Sequence, residues 1–152
     1  MEDRQPPGRG FIKEVEAHKI HVVRRSIGGG AVYHDLGNLN YSFITDEENA
    51  EQITIKRFTE PVVRALKGLG LEAESSGYND IQVDGRKVSG TAQRLKKGRI
   101  LHHGTLLFDS NLNMVAGALN VAPEKFRSKG TKSVGSRIGN IRPCLPRDMT
   151  LP

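Results

Sequence analysis

Two dipeptides, Asp84-Gly85 and Lys97-Gly98, constrain this 152-residue chain more than any other feature. Strand-like runs at Leu71–Glu74 and Ile81–Val83 precede the first, Lys87–Gln93 lies between the two, and Ile100–Phe108 follows the second. Asp-Gly between such runs is a strong hairpin signal, because a two-residue turn that follows strand twist needs residues tolerating positive φ. The middle of the chain is therefore expected to pair antiparallel with itself.

The pattern changes on either side. Residues 1–10 (MEDRQPPGRG) are polar and rich in Pro and Gly, which predicts an irregular lead-in. Phe11 to His18 has weak helical spacing and Ile20–Val23 reads as a short strand. Ala31–Tyr33 and Leu39–Ile44 are further short strands, divided by a turn at Asp35-Leu36-Gly37-Asn38. Asp46 is placed to cap a helix starting near Glu47, continued by Ile55, Phe58, Val62, Ala65, Leu66 and Leu69. Pro61 interrupts that series, so Thr59 is an alternative cap for a second helix with Pro61 in its first turn. Gly68 or Gly70 would end it. Leu112–Leu119 reads as a short helix, Pro123–Gly130 as a connection and Ser133–Ile141 as another helical turn, while 142–152 holds three prolines and reads as an irregular tail. Strands and helices mix without βαβ alternation. The expected class is α+β, a mostly antiparallel or mixed sheet flanked by helices, with 11–141 as one partial domain.

Composition narrows the partners. Hydrophobic residues make up 36% and there is no tryptophan, a thin core for this length unless something else covers it. The net charge of +6 points to an anionic partner or to a solvated basic surface. Its densest run, Arg94-Leu95-Lys96-Lys97-Gly98-Arg99, sits at a turn, with no nucleic-acid-binding motif around it, so nucleic acid is not the expected partner. The single cysteine, Cys144, excludes an internal disulfide and fits a reducing compartment. No apolar run is long enough for a membrane span and no signal peptide opens the chain, so a cytoplasmic location is expected.

Three glycines, Gly28-Gly29-Gly30, follow Arg24 and Arg25 between strand-like segments. They permit close backbone approach to an anionic ligand, with arginines supplying charge-assisted bonds; a flexible turn with solvated arginines accounts for them equally. The spacing is neither a Walker loop nor a dinucleotide fingerprint. Lys87, on a strand among the small residues Ser89, Gly90 and Ala92, offers a positive charge to a cleft, although most strand lysines are simply solvated. His102 and His103 are adjacent and must face opposite ways on a strand, so they cannot share a metal. One of them is expected inside, bonded to backbone. His34-Asp35 either borders a ligand or caps the following turn, and Asn79-Asp80 permits the same two readings.

Taken together, RRSIGGGAVYHDLGNLNYSF, SGYNDIQVDGRKVSGTAQ, LHHGTLLF and KGTKSVGSRIGNI resemble, in order and spacing, the motifs of the lipoate–protein ligase A family. The resemblance covers roughly residues 20–141. It implies a fold shared with biotin ligases and a two-step reaction: lipoate and ATP form lipoyl-adenylate, and the lipoyl group then passes to an acceptor lysine. It implies magnesium as a cofactor. The implied acceptors are lipoyl domains of 2-oxoacid dehydrogenase complexes and the glycine-cleavage H protein, with a separate accessory-domain chain in some members. Carried over by position, Lys87 matches the active-site lysine that contacts the lipoyl carbonyl and adenylate phosphate. Arg25 matches the nucleotide-binding arginine, and Gly30, Ala31, Val32 and Tyr33 match the stretch lining the adenylate. Gly28, Gly29 and His34 flank that stretch and join the expected ATP and lipoyl-adenylate site. Asn79 and Asp80 match a pair near the phosphate and metal, with Asp80 the candidate ligand.

The sequence also departs from the family pattern. Ile27 stands where serine or threonine usually precedes the glycines, Tyr78 where arginine is common, and Gly135 where arginine often precedes Ser-Arg. Residues 1–10 do not resemble the family's upstream strands, and the family's C-terminal accessory domain has no counterpart, which leads one to expect truncation at both ends. The alternatives are an inactive ligase fragment and an octanoyl- or lipoyltransferase of the same fold, which would use a cysteine nucleophile.

Overall fold

The computed structural model describes residues 15–24, 31–46, 54–76, 79–118 and 137–151. Its strands are β1 (Asn38–Asp46), β2 (Ala73–Ser76), β3 (Asp80–Val83), β4 (Arg86–Lys96) and β5 (Arg99–Leu107). The helices are α1 (Ile55–Gly68) and α2 (Leu112–Ala118), with a 3₁₀ turn at Arg142–Cys144. Both turn dipeptides adopt the expected geometry: φ is 50° and 71° at Asp84-Gly85, and 51° and 70° at Lys97-Gly98. Paired positive values let a two-residue turn match the twist of its strands. The five strands form one antiparallel sheet in the order β1-β5-β4-β3-β2. This is the α+β class that the sequence pattern predicts.

One face of the sheet is covered by α1. Val62, Leu66, Leu71, Ala73, Ile81, Val83, Val88 and Ile141 form its buried cluster, with Tyr41, Phe43 and Leu106 packed alongside. Side chains alternate along β5, so Ile100 and His102 are buried on this face while Leu101, His103 and Leu107 point the other way. Leu107 joins Val115 of α2 and Ile138 in a second, smaller cluster, against which Tyr33 and Leu112 pack.

The helix boundaries differ from the sequence expectation. Asp46 is the last residue of β1 and ion-pairs with Arg99 at 2.9 Å; the stretch it was expected to lead, 47–53, lies outside the described residues. Thr54 caps α1 instead, its Oγ1 accepting from the Arg57 N–H at 3.3 Å. Thr59 lies within the helix, fully buried, its hydroxyl donating to the Lys56 carbonyl. Pro61 sits in the same unbroken helix. A proline there removes one backbone donor, but the buried stripe Phe58, Val62 and Leu66 continues past it.

Three short expected elements also change. Ile20–Val23 and Ala31–Tyr33 are not strands, while Val15–Ala17 make a helical turn closed by the Ile20 N–H on the Val15 carbonyl. A short apolar run holds strand geometry only beside a ladder partner, and among the described residues these runs have none. Of the helical turn expected over Ser133–Ile141, residues 133–136 lie outside the described residues and Arg137 is helical, but the chain beyond it is not: Ile138 bridges Lys87 in parallel, and the Ile141 N–H bonds the Leu107 carbonyl at 2.8 Å. Ile138 and Ile141 have helical spacing but enter different clusters on different faces of the sheet. Among the described residues, no helix is long and apolar enough to cross a membrane.

Candidate active site

The site starts with a change of register. Ile81 pairs with Ser89, yet Gln82 pairs with Lys87, which leaves Val88 as an extra residue on β4. Such a bulge re-aims the side chains beside it. Val88 and Ser89 are both buried, each 1% exposed. Lys87 and Gly90 consequently share the opposite face, although residues three apart on a regular strand would not. The expected neighbours of Lys87 are corrected accordingly. Gly90 and Ala92 lie on its face, and Ser89 lies on the core side near the hydroxyl of Tyr41. Burial raises the pKa of that hydroxyl, with Ser89 acting in the opposite sense.

Gly90 gives the Lys87 side chain its path. A β-carbon on Gly90 would lie 3.3 Å from Lys87 Nζ and 3.4 Å from Cε. Asp80 is the cross-strand partner of Gly90, and its Oδ1 meets Lys87 Nζ at 2.6 Å. With side chains 37% and 30% exposed, this ion pair contributes only about 0–1 kcal/mol to stability. Its effect is one of placement: an ammonium with three donors is held over glycine on an accessible face, free to turn toward an incoming oxyanion. Asn79, next to Asp80, is fixed by three bonds with Thr91. Its Nδ2 donates to the Thr91 carbonyl at 3.1 Å, and its own carbonyl accepts from Thr91 N and Oγ1 at 3.0 and 3.2 Å.

The segment after the glycine loop reaches the same neighbourhood through Ile138. Tyr33 packs on the cluster containing Ile138, whose backbone bridges Lys87. Ala31, Val32 and His34 are exposed beside it, with His34 Nδ1 accepting from the Asn38 carboxamide at 2.7 Å. Asp35 acts as a cap: Oδ1 accepts from the Gly37 N–H at 3.0 Å and Oδ2 from the Asn111 N–H at 2.8 Å. Gly37 touches the next segment so closely that a β-carbon would lie 2.1 Å from the Asp109 carbonyl oxygen. Arg25, Gly28, Gly29 and Gly30, with Ile27, Tyr78 and Gly135, lie outside the described residues.

A family model described as the lipoyl protein ligase A/B catalytic domain matches residues 10–152. The chain belongs to this family. It is 58% identical over 138 residues to lipoate-protein ligase LplJ of Bacillus subtilis, covering 91% of this chain and 42% of that protein. A solved bipartite lipoate protein ligase from Thermoplasma acidophilum, described with its E2 lipoyl domain, superposes with a TM-score of 0.77 at 33% identity. That match covers 91% of this chain and 55% of the other. A lipoate-protein ligase A bound with ATP gives a TM-score of 0.73 at 29% identity, over 91% and 56% of the two chains. Biotin protein ligase from Aquifex aeolicus, 17% identical with a TM-score of 0.50 over 75% and 46%, shares the fold alone. The chain thus spans about two fifths of the length of its curated relative.

Within this ligase-family fold, His102 has no part in the Lys87 face. It is fully buried against Phe58, ring centroids 4.8 Å apart at 18°, and Nδ1 meets Gln93 Oε1 at 3.2 Å. An inward histidine was expected, but its partner is this side chain and not backbone. Burial first, and His103 second, lower its pKa to about 4, so it is neutral at neutral pH. Cys144 is a poor nucleophile, because partial burial, followed by the neighbouring Asp84, raises its thiol pKa and suppresses the thiolate.

Among the described residues, no group of three or more His, Cys, Asp or Glu is placed to hold a metal ion. A single carboxylate such as Asp80 fits magnesium only where substrate phosphates and water supply the remaining ligands. Cavities of about 440 and 320 Å³ line the α1–β2 edge and include neither Lys87 nor Asp80. The Lys87 face is therefore defined by charge and register, not by enclosure. Sequence reasoning missed the Val88 bulge, the close approach of Gly37 to Asp109 and the bonds between Asn140 and Ser110. All three positions lie within the strings that carry the family resemblance, and Gly37 within the expected turn, but no spacing there signals these contacts.

Proposed function

We propose that this chain carries the catalytic part, over residues 11–141, of an ATP-dependent cytoplasmic lipoate ligase. The observation that carries the reading is the Lys87 ammonium held over Gly90 by Asp80, within a stretch matched by the ligase family. In the first step a lipoate carboxylate oxygen attacks the α-phosphorus of ATP, forming lipoyl-adenylate as pyrophosphate leaves. In the second, an acceptor lysine amine attacks the lipoyl carbonyl, forming an amide and releasing AMP and a proton. Both steps build negative charge on oxygens, which fixed donors stabilise best where no reorganisation is needed. Lys87 supplies that charge by turning from Asp80 to the phosphate and carbonyl oxygens. Arg25 and the backbone of Gly28, Gly29 and Gly30 hold the nucleotide, Ala31 to His34 line it, and Asn79 keeps Asp80 in place. Magnesium, carried on the phosphates with Asp80 as its protein ligand, would neutralise their charge.

The acceptors are lipoyl domains of 2-oxoacid dehydrogenase complexes and glycine-cleavage H protein, with an accessory-domain chain as a further partner. The net charge of +6 would steer acidic acceptor domains toward the site. The test incubates the chain with lipoate, ATP, magnesium and a lipoyl domain and weighs the acceptor. A lipoyl mass increment that requires ATP is expected. An unmodified acceptor would overturn the reading, and acyl transfer from an octanoylated carrier without ATP would replace it with a transferase.

A further inference from the structure

The bend that follows β5 is unusually well tied. Its four consecutive N–H groups, Phe108 to Asn111, are all bonded outside the bend. Those of Phe108 and Asp109 both reach the Gly37 carbonyl at 2.9 Å. The Asn111 N–H reaches Asp35 at 2.8 Å. The Ser110 N–H goes to Asn140 Oδ1 at 3.1 Å, and Asn140 Nδ2 returns a bond to the Ser110 carbonyl at 2.8 Å. On the other side of Asn140, the Gly139 N–H donates to the Lys87 carbonyl at 3.0 Å.

We propose that Asn140 is a positioning residue for Lys87, setting it against the turn that follows the glycine loop. The inference rests on the ligase reading above. One residue before Asn140, the chain is bonded to Lys87. Through its side chain, Asn140 is locked to a bend that Asp35 and Gly37 hold from the opposite side. Residues 31–34 lead directly into Asp35, so the adenylate-lining stretch and the lysine are located from one shared piece of backbone. A carboxamide carries its acceptor and donor side by side in one plane, which suits the N–H and C=O of a single residue. Arg142 adds an outer brace, its N–H on the Phe108 carbonyl and its guanidinium on Asp109 at 2.7 Å. Positioning matters because a misplacement of about 1 Å at a reacting group can cost on the order of 100-fold in rate.

The test uses the full chain and a non-hydrolysable lipoyl-adenylate analogue with a sulfamoyl bridge, its Kd measured by calorimetry well below each variant's Tm. Lys87→Ala is expected to weaken binding about 100-fold and Asn140→Ala about 10-fold, in line with lost charge-assisted contacts. If Asn140 acts through Lys87, the double variant binds within about twofold of Lys87→Ala, since coupled residues are non-additive. A multiplicative loss overturns the proposal, because a merely structural residue would weaken both backgrounds alike. Asn140→Asp keeps the shape and the acceptor but sets an oxygen against the Ser110 carbonyl. It should match Asn140→Ala, and it stands in if the alanine variant does not fold. Wild-type affinity in Asn140→Asp would overturn the proposal. A wild-type chain that does not bind the analogue overturns the ligase reading and the proposal with it, whereas binding followed by multiplicative losses overturns the proposal alone.

Discussion

The two faces of the sheet share the same strands but are built by different rules. The α1 face is closed by apolar area: Ile81 and Ile100 are fully buried, and even its histidine is neutral and stacked on Phe58. The opposite face carries only a smaller apolar cluster around Leu107, Val115 and Ile138, and beside it directed bonds: the Lys87–Asp80 pair and the Ser110–Asn140 clamp. Apolar packing tolerates small shifts in direction, while a hydrogen bond weakens steeply with angle. The first face therefore supplies stability and the second supplies placement. Substitutions on the two faces should separate in what they damage.

The sharpest test of that separation is Lys87→Ala. Pyrophosphate release with lipoate and ATP should fall by at least ~1,000-fold, about 4 kcal/mol of barrier, while Tm stays near wild type because the side chain is half-exposed. Near-normal release would remove Lys87 from the chemistry. Ile81→Ala is the counterpart on the other face. It should cost about 3–4 kcal/mol in denaturant unfolding, the usual range for a buried isoleucine, with the Kd for ATP in the fraction still folded unchanged.

Acid should act on the α1 face as well. The folded-state pKa of His102 is lowered to about 4 from an ordinary 6.5, so the unfolded chain binds the proton more readily. The stability contribution is complete above pH 6.5 and is lost as pH falls from there toward 4. It amounts to no more than about 3 kcal/mol. Urea titrations at pH 7, 5.5 and 4 measure it, and in His102→Phe this acid-dependent part should vanish. An unchanged slope in that variant would assign the acid sensitivity elsewhere. The smallest effect is expected for Gly90→Ala. Its β-carbon forces Lys87 Nζ to move by a few tenths of an ångström, and adenylation should slow about 10-fold, roughly 1.4 kcal/mol, with little change in Tm. Equal losses of rate and stability would mean that the two faces are not separable.

Much of the α1 face was legible, because local rules write it. Asp84-Gly85 and Lys97-Gly98 gave the hairpins, and the spacing of Phe58, Val62 and Leu66 gave the helix, though not its Thr54 cap. The Lys87 face was legible mainly through the family resemblance. Counting by twos from Lys87 leads to Ser89, and only cross-strand pairing with Ile81 and Gln82 reveals the extra residue that puts Gly90 there instead. The Asn140 clamp joins positions 30 residues apart, and the Asp35 bond to Asn111 joins positions 76 apart. No periodicity encodes contacts of that range. His34-Asp35 left two readings open, and the bonds of Asp35 to Gly37 and Asn111 make Asp35 the cap while leaving His34 exposed beside it.

The extra residue at Val88 also bears on what kinds of inherited change this chain can survive. A substitution there alters volume in the core and can be repacked. A three-nucleotide deletion alters the count: without Val88 the ladder becomes regular, with Lys87 still opposite Gln82, but the bulge that aims its side chain and one core side chain are both lost. In this part of the gene, in-frame gains and losses of single codons should be far rarer among working copies than amino-acid replacements.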